Sequence, residues 1–163
     1  MKLQKQNVGN AGEYFIASRL SALDYTVTIT LGRAERYDIL ALSPKGKLIK
    51  ISVKTTQLEN SKRFPLSQKD EEGASDDFYY AFVKLNNFEK DPDIWIIPSK
   101  VVCPLLKYSN DSYLKNPGKK GQQHNDSSMR ILPVEMEVSN PAYPDWEKNV
   151  QKYHMNFDQL QNL

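Results

Sequence analysis

Apolar and small residues near the start of the chain recur at the spacing of an amphipathic helix. In residues 7–24, NVGNAGEYFIASRLSALD, they stand three or four positions apart along one stripe: Val8, Gly12, Ile16, Leu20 and Leu23. This period keeps the stripe on one face of a helix, and Asn7 at its start can cap the first turn. The pattern predicts a leading helix that buries this face.

The pattern then changes to alternation, which is typical of strands with one buried face. In residues 25–31, YTVTITL, branched apolar side chains alternate with threonines. After the polar loop GRAERY, residues 38–42 and 47–54 form two further apolar runs on either side of the turn SPKG. We therefore expect a strand followed by a β-hairpin.

The turn of this hairpin determines which residues face each other. Residues 44–46, Pro-Lys-Gly, suit a three-residue loop, because proline presets the first φ and glycine tolerates a positive one. Counting outward from this loop gives the expected pairs Leu42–Leu48, Leu40–Lys50 and Asp38–Ser52. Since side chains alternate along a strand, Lys54 lies on the same face as Ser52, one step beyond Asp38, so the two charges should meet. A two-residue loop would instead place Asp38 opposite Ile51.

The rest of the chain mixes strand and helix patterns. The expected strands are residues 78–85, 93–99 and 129–138, and the expected helices lie between Ser67 and Gly73, over residues 100–108 and over residues 146–160. Ser67 and Ser99 can cap their helices, Pro104 should kink or shorten the second helix, and Pro133 should interrupt the last strand. These elements together predict an α/β fold.

Composition narrows the class of protein. The chain has 163 residues, which fits one domain with a real core, and its 39% apolar and 26% charged residues are ordinary for a globular protein. The 22 basic and 20 acidic residues give a net charge of +2, so a nucleic-acid role must depend on local clustering. No apolar run approaches a membrane span and the first residues are not a secretory leader, so we expect a cytoplasmic protein with no membrane partner.

Cysteine and histidine are too scarce for several kinds of site. Cys103 is the only cysteine, which excludes an internal disulfide and a cysteine-rich zinc site. His124 and His154 are the only histidines, which argues against a histidine metal site or a Ser/His/Asp triad. Carboxylates and lysines are therefore the candidate chemical groups.

The order of helix, strand and hairpin, with charges at particular places, resembles the PD-(D/E)XK nuclease superfamily. The likeness is carried by GEYFIASRL on the helix, YD at the start of the hairpin and ISVKTTQ on its second arm, within residues 7–57. The chain is most similar to the small restriction-endonuclease-like and Holliday-junction-resolvase-like domains. The resemblance implies a single restriction-endonuclease-like domain over residues 1–163, with a central mixed β-sheet flanked by helices.

The resemblance also implies a metal site. In such enzymes an acid on the first hairpin strand and a carboxylate two positions before a lysine hold a divalent metal. Asp38 matches the first acid, Lys54 the lysine and Glu13 the helix acid, whereas the second carboxylate position is occupied by Ser52. A neutral hydroxyl is a weaker ligand for magnesium than a carboxylate. The implied metal ligands are Asp38, Glu13 and Ser52, with Glu13 or the nearby Glu59 able to compensate for the serine.

The implied reaction is hydrolysis of a phosphodiester with Mg²⁺ or Mn²⁺ as cofactor. The metal would polarise the phosphate, and Lys54 would position the attacking water or neutralise charge in the transition state. Gln57 could orient the same water. The implied catalytic set is Glu13, Asp38, Lys54 and Gln57.

Basic residues beside the hairpin are candidates for phosphate contacts. They lie just before Asp38 and in the loop expected after the second arm: Arg33, Arg36, Lys62 and Arg63. Such contacts supply affinity without sequence readout, although each of these charges could also serve only solubility. The expected partner is nucleic acid, most simply DNA, and a homodimer could cut both strands.

Two other functions remain open from the sequence. The serine at position 52 could mark a nuclease-fold module that binds nucleic acid or a partner protein without cutting. A protein-interaction domain could use the aromatic strand FYYAFV and Trp95 as a contact surface. The Asp38–Lys54 pair could also be a structural ion pair, which contributes only about 0–1 kcal/mol at a surface.

Overall fold

A mixed β-sheet with helices on both faces forms the centre of the molecule. The computed structural model describes residues 2–30, 36–118, 120–136, 139–161 and 163. The elements within these residues are α1 (Lys5–Ser21), β1 (Thr26–Ile29), β2 (Ile39–Leu42), β3 (Leu48–Thr56), β4 (Arg63–Ser67), β5 (Phe78–Lys84), β6 (Asp93–Pro98), α2 (Ser99–Lys115), β7 (Met129–Pro133), α3 (Trp146–Asn149) and α4 (Asp158–Gln161). The predicted α/β class with a mixed central sheet is confirmed.

The hairpin strands lie in one half of the main sheet, and the later strands β5 and β6 lie in the other half. In the described part of the chain, the main sheet has the order β1-β2-β3-β5-β6, and β4 pairs with β7 in a second, two-stranded sheet. β3 and β5 are parallel, and every other pair of neighbouring strands in the described part of the chain is antiparallel. A parallel pair needs a long crossover connection. Here that connection contains β4, the first strand of the small sheet.

The predicted turn and register of the hairpin are confirmed. Leu42 pairs with Leu48 and Leu40 with Lys50. Gly46 has a φ of 84°, and its N–H donates to the Ser43 carbonyl at 2.9 Å. The positive φ is the conformation that glycine adopts without a steric cost.

Each face of the main sheet buries its own apolar cluster. On one face, Ile16 and Leu20 of α1 pack with Ile49 and Ile51 of β3. On the other face, aromatic residues of β5 and β6 pack with α2 and the small sheet: Phe82, Trp95, Leu106, Phe64 and Leu132. Full burial of one such side chain contributes roughly 1.5–3 kcal/mol, so α1 is held firmly over β3.

The leading helix has the predicted buried stripe but a different start. Gly12, Ile16 and Leu20 are buried, and Val8 and Leu23 pack against the same cluster. The helix begins at Lys5, and the Val8 N–H already donates to the Gln4 carbonyl at 3.1 Å. Asn7 therefore lies inside the first turn, and its predicted role as the cap is wrong.

The second helix is longer than predicted. It runs through Pro104 to Lys115 without stopping, although proline removes one backbone donor. The buried residues around the proline hold the helix against the sheet: Val102, Cys103, Leu105 and Leu106. Ser99 does not cap it, because its hydroxyl donates to the Ser75 carbonyl and accepts from the Ser75 N–H, both at 3.0 Å.

The predicted C-terminal helix is wrong in form. The chain makes α3, a 3₁₀ turn over Gln151–Tyr153 and α4 instead of one continuous helix. His154 forms an isolated bridge with Trp95, and Met155, at a φ of 49°, donates its N–H to the Ile94 carbonyl at 2.8 Å. Hydrogen bonds to the edge strand β6 therefore determine the backbone conformation here, although the apolar residues have helical spacing.

One strand near the candidate site is absent from the sequence-based prediction. The predicted loop beside Lys62 contains β4, which begins at Arg63 and pairs with β7. The short helix predicted after Ser67 is present as a 3₁₀ helix, Gln68–Glu71, whose Asp70 carboxylate accepts from the Ser67 N–H at 2.8 Å. No helix among the described residues is long and apolar enough to cross a membrane.

Candidate active site

Asp38 lies where the ladder between the two arms of the hairpin becomes irregular. Regular pairing of β2 with β3 ends at Ile39–Ile51, and the Asp38 N–H donates to the Ile51 carbonyl at 2.9 Å. The Val53 N–H donates at 2.6 Å to the Asp38 carboxylate instead of to a backbone carbonyl of β2. β3 continues to Thr56, paired with β5 but free of β2. The Asp38 carboxylate is therefore fixed at an open edge of β3.

Glu13 reaches this edge from the helix above it. It is half-buried on α1, next to Gly12, whose backbone lies against the side chain of Thr55 on β3. Burial, and then the negative charge of Asp38, raise the pKa of the Glu13 carboxyl above its ordinary value. In the described part of the chain neither carboxylate has an ion pair with a lysine or arginine. The negative charge of Asp38 thus acts on Glu13, and no described lysine or arginine forms an ion pair with either carboxylate.

Lys54 belongs to the same short stretch of β3 but does not bond to Asp38. It is half-buried and pairs with Phe82 of β5, so strand alternation puts it and Ser52 on the face of the sheet that carries α2. Its ammonium has no ion pair with any described residue. The predicted meeting of Asp38 and Lys54 is therefore not an ion pair, because Asp38 turns to the backbone of Val53.

The remaining candidate ligands and catalytic residues have different partners. Ser52 is only 4% exposed beside Tyr80 of β5. The Gln57 side-chain oxygen accepts from the Leu3 N–H at 2.9 Å, which ties the start of the chain to the end of β3. Glu59 pairs with Lys90 at 2.9 Å, which lowers its pKa, and so Glu59 is engaged away from Asp38.

The predicted phosphate contacts divide into two kinds. The Arg36 guanidinium donates to the Glu72 carbonyl at 2.9 Å and to the Lys69 carbonyl at 3.4 Å, so it holds the 3₁₀ turn next to the sheet. Arg63 is exposed at the start of β4, beside Lys62. Arg33 lies outside the described residues.

Thr55 is a residue near the site that sequence reasoning treats as an ordinary strand former. Its hydroxyl is buried without a hydrogen-bond partner and faces the backbone of Gly12. A glycine directly before a helix glutamate was the one available signal of a close approach. The strand residue on the other side of that contact could not be identified without the packing of α1 on β3.

Comparison with known proteins assigns the fold. A family model described as PD-(D/E)XK endonuclease matches residues 3–78, the part of the chain that contains α1 and the hairpin. The solved structure of a bacterial homing endonuclease, I-Ssp6803I, has a TM-score of 0.54 at 13% identity, with 98% of this chain and 93% of that chain covered. The family match supports the PD-(D/E)XK nuclease superfamily, and the likeness to the solved structure supports its fold. A search of curated proteins gives no match.

The family match also supports the predicted class of function, a nuclease that acts on nucleic acid. PD-(D/E)XK nucleases are in general dependent on divalent metals. The donor set here suits such a cation, because Glu13 and Asp38 are neighbouring carboxylates that repel each other, and hard cations prefer oxygen ligands. Among the described residues no group of three acids, histidines or cysteines is placed to hold a metal. The residues that would hold such a cation are therefore the two carboxylates Glu13 and Asp38.

The structural part of the role of Asp38 can be separated from its charge. Asp38→Ala leaves the Val53 N–H without its acceptor, and we expect it to lower the free energy of unfolding by about 1 kcal/mol or more. Asp38→Asn keeps an oxygen acceptor and should stay closer to the wild type. Urea unfolding at neutral pH in chelator measures both variants. If Asp38→Ala and Asp38→Asn lose the same free energy of unfolding, the hydrogen bond to the Val53 N–H does not contribute to stability.

The raised pKa of Glu13 predicts a pH-dependent stability. The folded protein holds this proton more tightly than the unfolded chain, so stability falls as pH rises from the ordinary glutamate pKa through the raised folded value. Glu13→Gln should therefore be more stable than the wild type at neutral pH, and the difference should disappear at pH values below the ordinary pKa. Unfolding across a pH series in chelator checks this. A difference that does not change with pH would contradict it.

Proposed function

We propose that this chain is a divalent-metal-dependent endonuclease that cuts DNA, with Glu13, Asp38 and Lys54 as its central residues. The observation that carries the proposal is that the Asp38 carboxylate, fixed where β3 leaves β2, acts on the half-buried Glu13 carboxyl, and that neither has a cationic partner among the described residues. Lys54 lies on the same short stretch of β3, on its other face. The family match to PD-(D/E)XK endonucleases over the same residues supports this assignment.

Each carboxylate has a distinct part in the proposed site. Asp38 is held by the Val53 N–H through one oxygen, Oδ2, which leaves Oδ1 available to a ligand. Glu13 is half-buried, and the cost of two adjacent negative charges falls when a cation lies between them. Mg²⁺ or Mn²⁺ held by Asp38 and Glu13 would polarise the phosphate and favour formation of hydroxide from water.

Lys54 supplies positive charge from the opposite side of β3. Its ammonium is not neutralised by a carboxylate of the described chain, so it remains free to face a phosphate. There it would stabilise charge on the phosphoryl oxygens as the bond to the leaving oxygen breaks, which is most effective where water is displaced. Gln57, whose side-chain oxygen accepts from the Leu3 N–H, is proposed to help orient the attacking water.

Substrate contacts are proposed for the residues at the start of β4. Arg63 is exposed, and Lys62 precedes it, so both can contact the backbone of a duplex that enters the edge of β3. Arg36 is engaged with two carbonyls and is a weaker candidate. A homodimer that cuts both strands, one domain over residues 1–163 and a cytoplasmic location stay predictions.

A second function is supported by one specific observation. Ser52 stands where the superfamily has a carboxylate, and it is almost fully buried. A metal site with one carboxylate fewer binds a divalent cation more weakly. The same fold could therefore serve as a module that binds DNA without cutting it, and the two functions differ in whether the metal produces cleavage.

Cleavage of supercoiled plasmid tests the proposal directly. We expect the wild type to nick or linearise plasmid in millimolar Mn²⁺ or Mg²⁺ and to be inactive in chelator. Glu13→Gln, Asp38→Asn and Lys54→Met should each lower the rate by about 100-fold or more, since each removes a charge that acts on the transition state. Lys100→Met is the matched control. Lys100 lies on α2 and forms an ion pair with Asp76 at 2.6 Å, so this substitution should not change the rate of cleavage.

Ser52→Asp distinguishes the enzyme from the binding module. If the two-carboxylate site is active, a third carboxylate should lower the Mn²⁺ concentration needed for half-maximal cleavage, because affinity follows ligand charge. Absence of cleavage by both the wild type and Ser52→Asp, together with salt-dependent retention on DNA in chelator, would contradict the enzyme and support the module.

The two arginines make a matched pair for DNA binding. Arg63→Ala should weaken binding to all duplex sequences and reduce the slope of log affinity against log salt by about 1, with unchanged stability. Arg36→Ala should lower the urea midpoint, because the Lys69 and Glu72 carbonyls lose their donor. Binding in chelator by fluorescence anisotropy at several salt concentrations measures both. An unchanged slope in Arg63→Ala would exclude that phosphate contact.

A further inference from the structure

The backbone of α1 comes very close to the sheet one residue before the helix acid. A Cβ built on Gly12 would be 1.9 Å from Thr55 Oγ1, 2.8 Å from Thr55 Cγ2 and 2.9 Å from Thr55 Cβ. All three distances are shorter than a van der Waals contact. The backbone of the helix therefore lies directly against the side chain of Thr55, at a distance that only glycine permits.

The other side of this contact is equally restricted. Threonine is branched at Cβ and has few χ1 positions, so it cannot swing both γ atoms away from the helix. Its hydroxyl is buried and has no hydrogen-bond partner, so the contact depends on shape and not on a bond. Thr55 follows Lys54 on the free part of β3, and Gly12 precedes Glu13 on α1.

We infer that Gly12 and Thr55 are a positioning pair, which sets the height of α1 over β3 so that the Glu13 carboxylate reaches the metal position beside Asp38. This inference rests on the proposed function and adds two residues to its site. Neither residue contacts the substrate. A side chain at position 12 would lift the helix by roughly 1 Å, a displacement that can lower the efficiency of a catalytic group about 100-fold.

The same helix contains a control for this substitution. Gly9 lies three residues earlier, and a Cβ built there has no atom within 4 Å. Gly9→Ala therefore makes the same chemical change in α1 without a collision. Thr55→Val is the control on the strand, because it keeps the branched shape and removes only the unpartnered hydroxyl.

Mn²⁺ binding to the free protein is the readout, measured by the electron paramagnetic resonance of unbound Mn²⁺, with the urea midpoint as a check of folding. We expect Gly12→Ala to weaken Mn²⁺ binding about 10- to 100-fold. Gly9→Ala and Thr55→Val should bind Mn²⁺ as the wild type does. The double variant Gly12→Ala with Thr55→Ala lacks the two nearest atoms, Thr55 Oγ1 and Cγ2, and should recover most of the lost Mn²⁺ affinity. Adding Glu13→Gln to this double variant should abolish the recovery.

Each outcome decides the inference. A folded Gly12→Ala that binds Mn²⁺ like the wild type overturns the positioning role and leaves the endonuclease proposal intact. A wild type that binds no Mn²⁺ overturns the metal site and the positioning role together. If Gly12→Ala does not fold, the double variant Gly12→Ala with Thr55→Ala is measured instead. Mn²⁺ binding by this variant supports the positioning role of Gly12 and Thr55. A folded double variant that does not bind Mn²⁺ refutes that role.

Discussion

The hydrogen bond from the Val53 N–H to the Asp38 carboxylate is the interaction on which the candidate site depends. Two antiparallel strands can separate inside a protein only if the backbone groups that lose each other find new partners. Here a side chain takes the place of a backbone carbonyl at the point of separation. The bond therefore opens the edge of β3 and fixes a carboxylate in that opening. One residue therefore fixes the local backbone and supplies a candidate metal ligand.

Two carboxylates, Glu13 and Asp38, also bring negative charges that disfavour each other to this opening. Glu13 is half-buried beside another carboxylate, and its raised pKa shows that the folded protein resists the second negative charge. A sequence selected only for stability would place a neutral residue or a lysine there. Local costs of this kind are typical of functional sites, where the surrounding packing holds groups in positions that they would not adopt alone. The packing of Ile16 and Leu20 supplies that support for α1.

Local features of the chain could be predicted from the sequence, and contacts between distant segments could not. The three-residue loop, the register of Leu40 with Lys50 and the turn after Ser67 follow from neighbouring residues, and the structure confirms them. The pairing of β4 with β7 joins segments more than sixty residues apart, and no local pattern indicates it. The break at Met155 has the same origin, since β6 takes the backbone bonds that a helix would have used.

The candidate site shows the same division. Strand alternation places Ser52 and Lys54 on one face from sequence alone, whereas the turn of Asp38 towards Val53 depends on where β2 leaves β3. The approach of Glu13 depends on the packing of α1, which is set by a contact between Gly12 and a residue 43 positions later, Thr55.

The position of Ser52 suggests why the second carboxylate of this chain comes from the helix. Ser52 is 4% exposed beside Tyr80, a ring that belongs to the aromatic cluster under α2. A carboxylate at that depth would lose its hydration and would need a bound cation to offset the cost. Glu13 lies on the other side of the sheet and is half-exposed, so water can still reach it. A site that uses Asp38 and Glu13 therefore leaves the aromatic face of the sheet apolar.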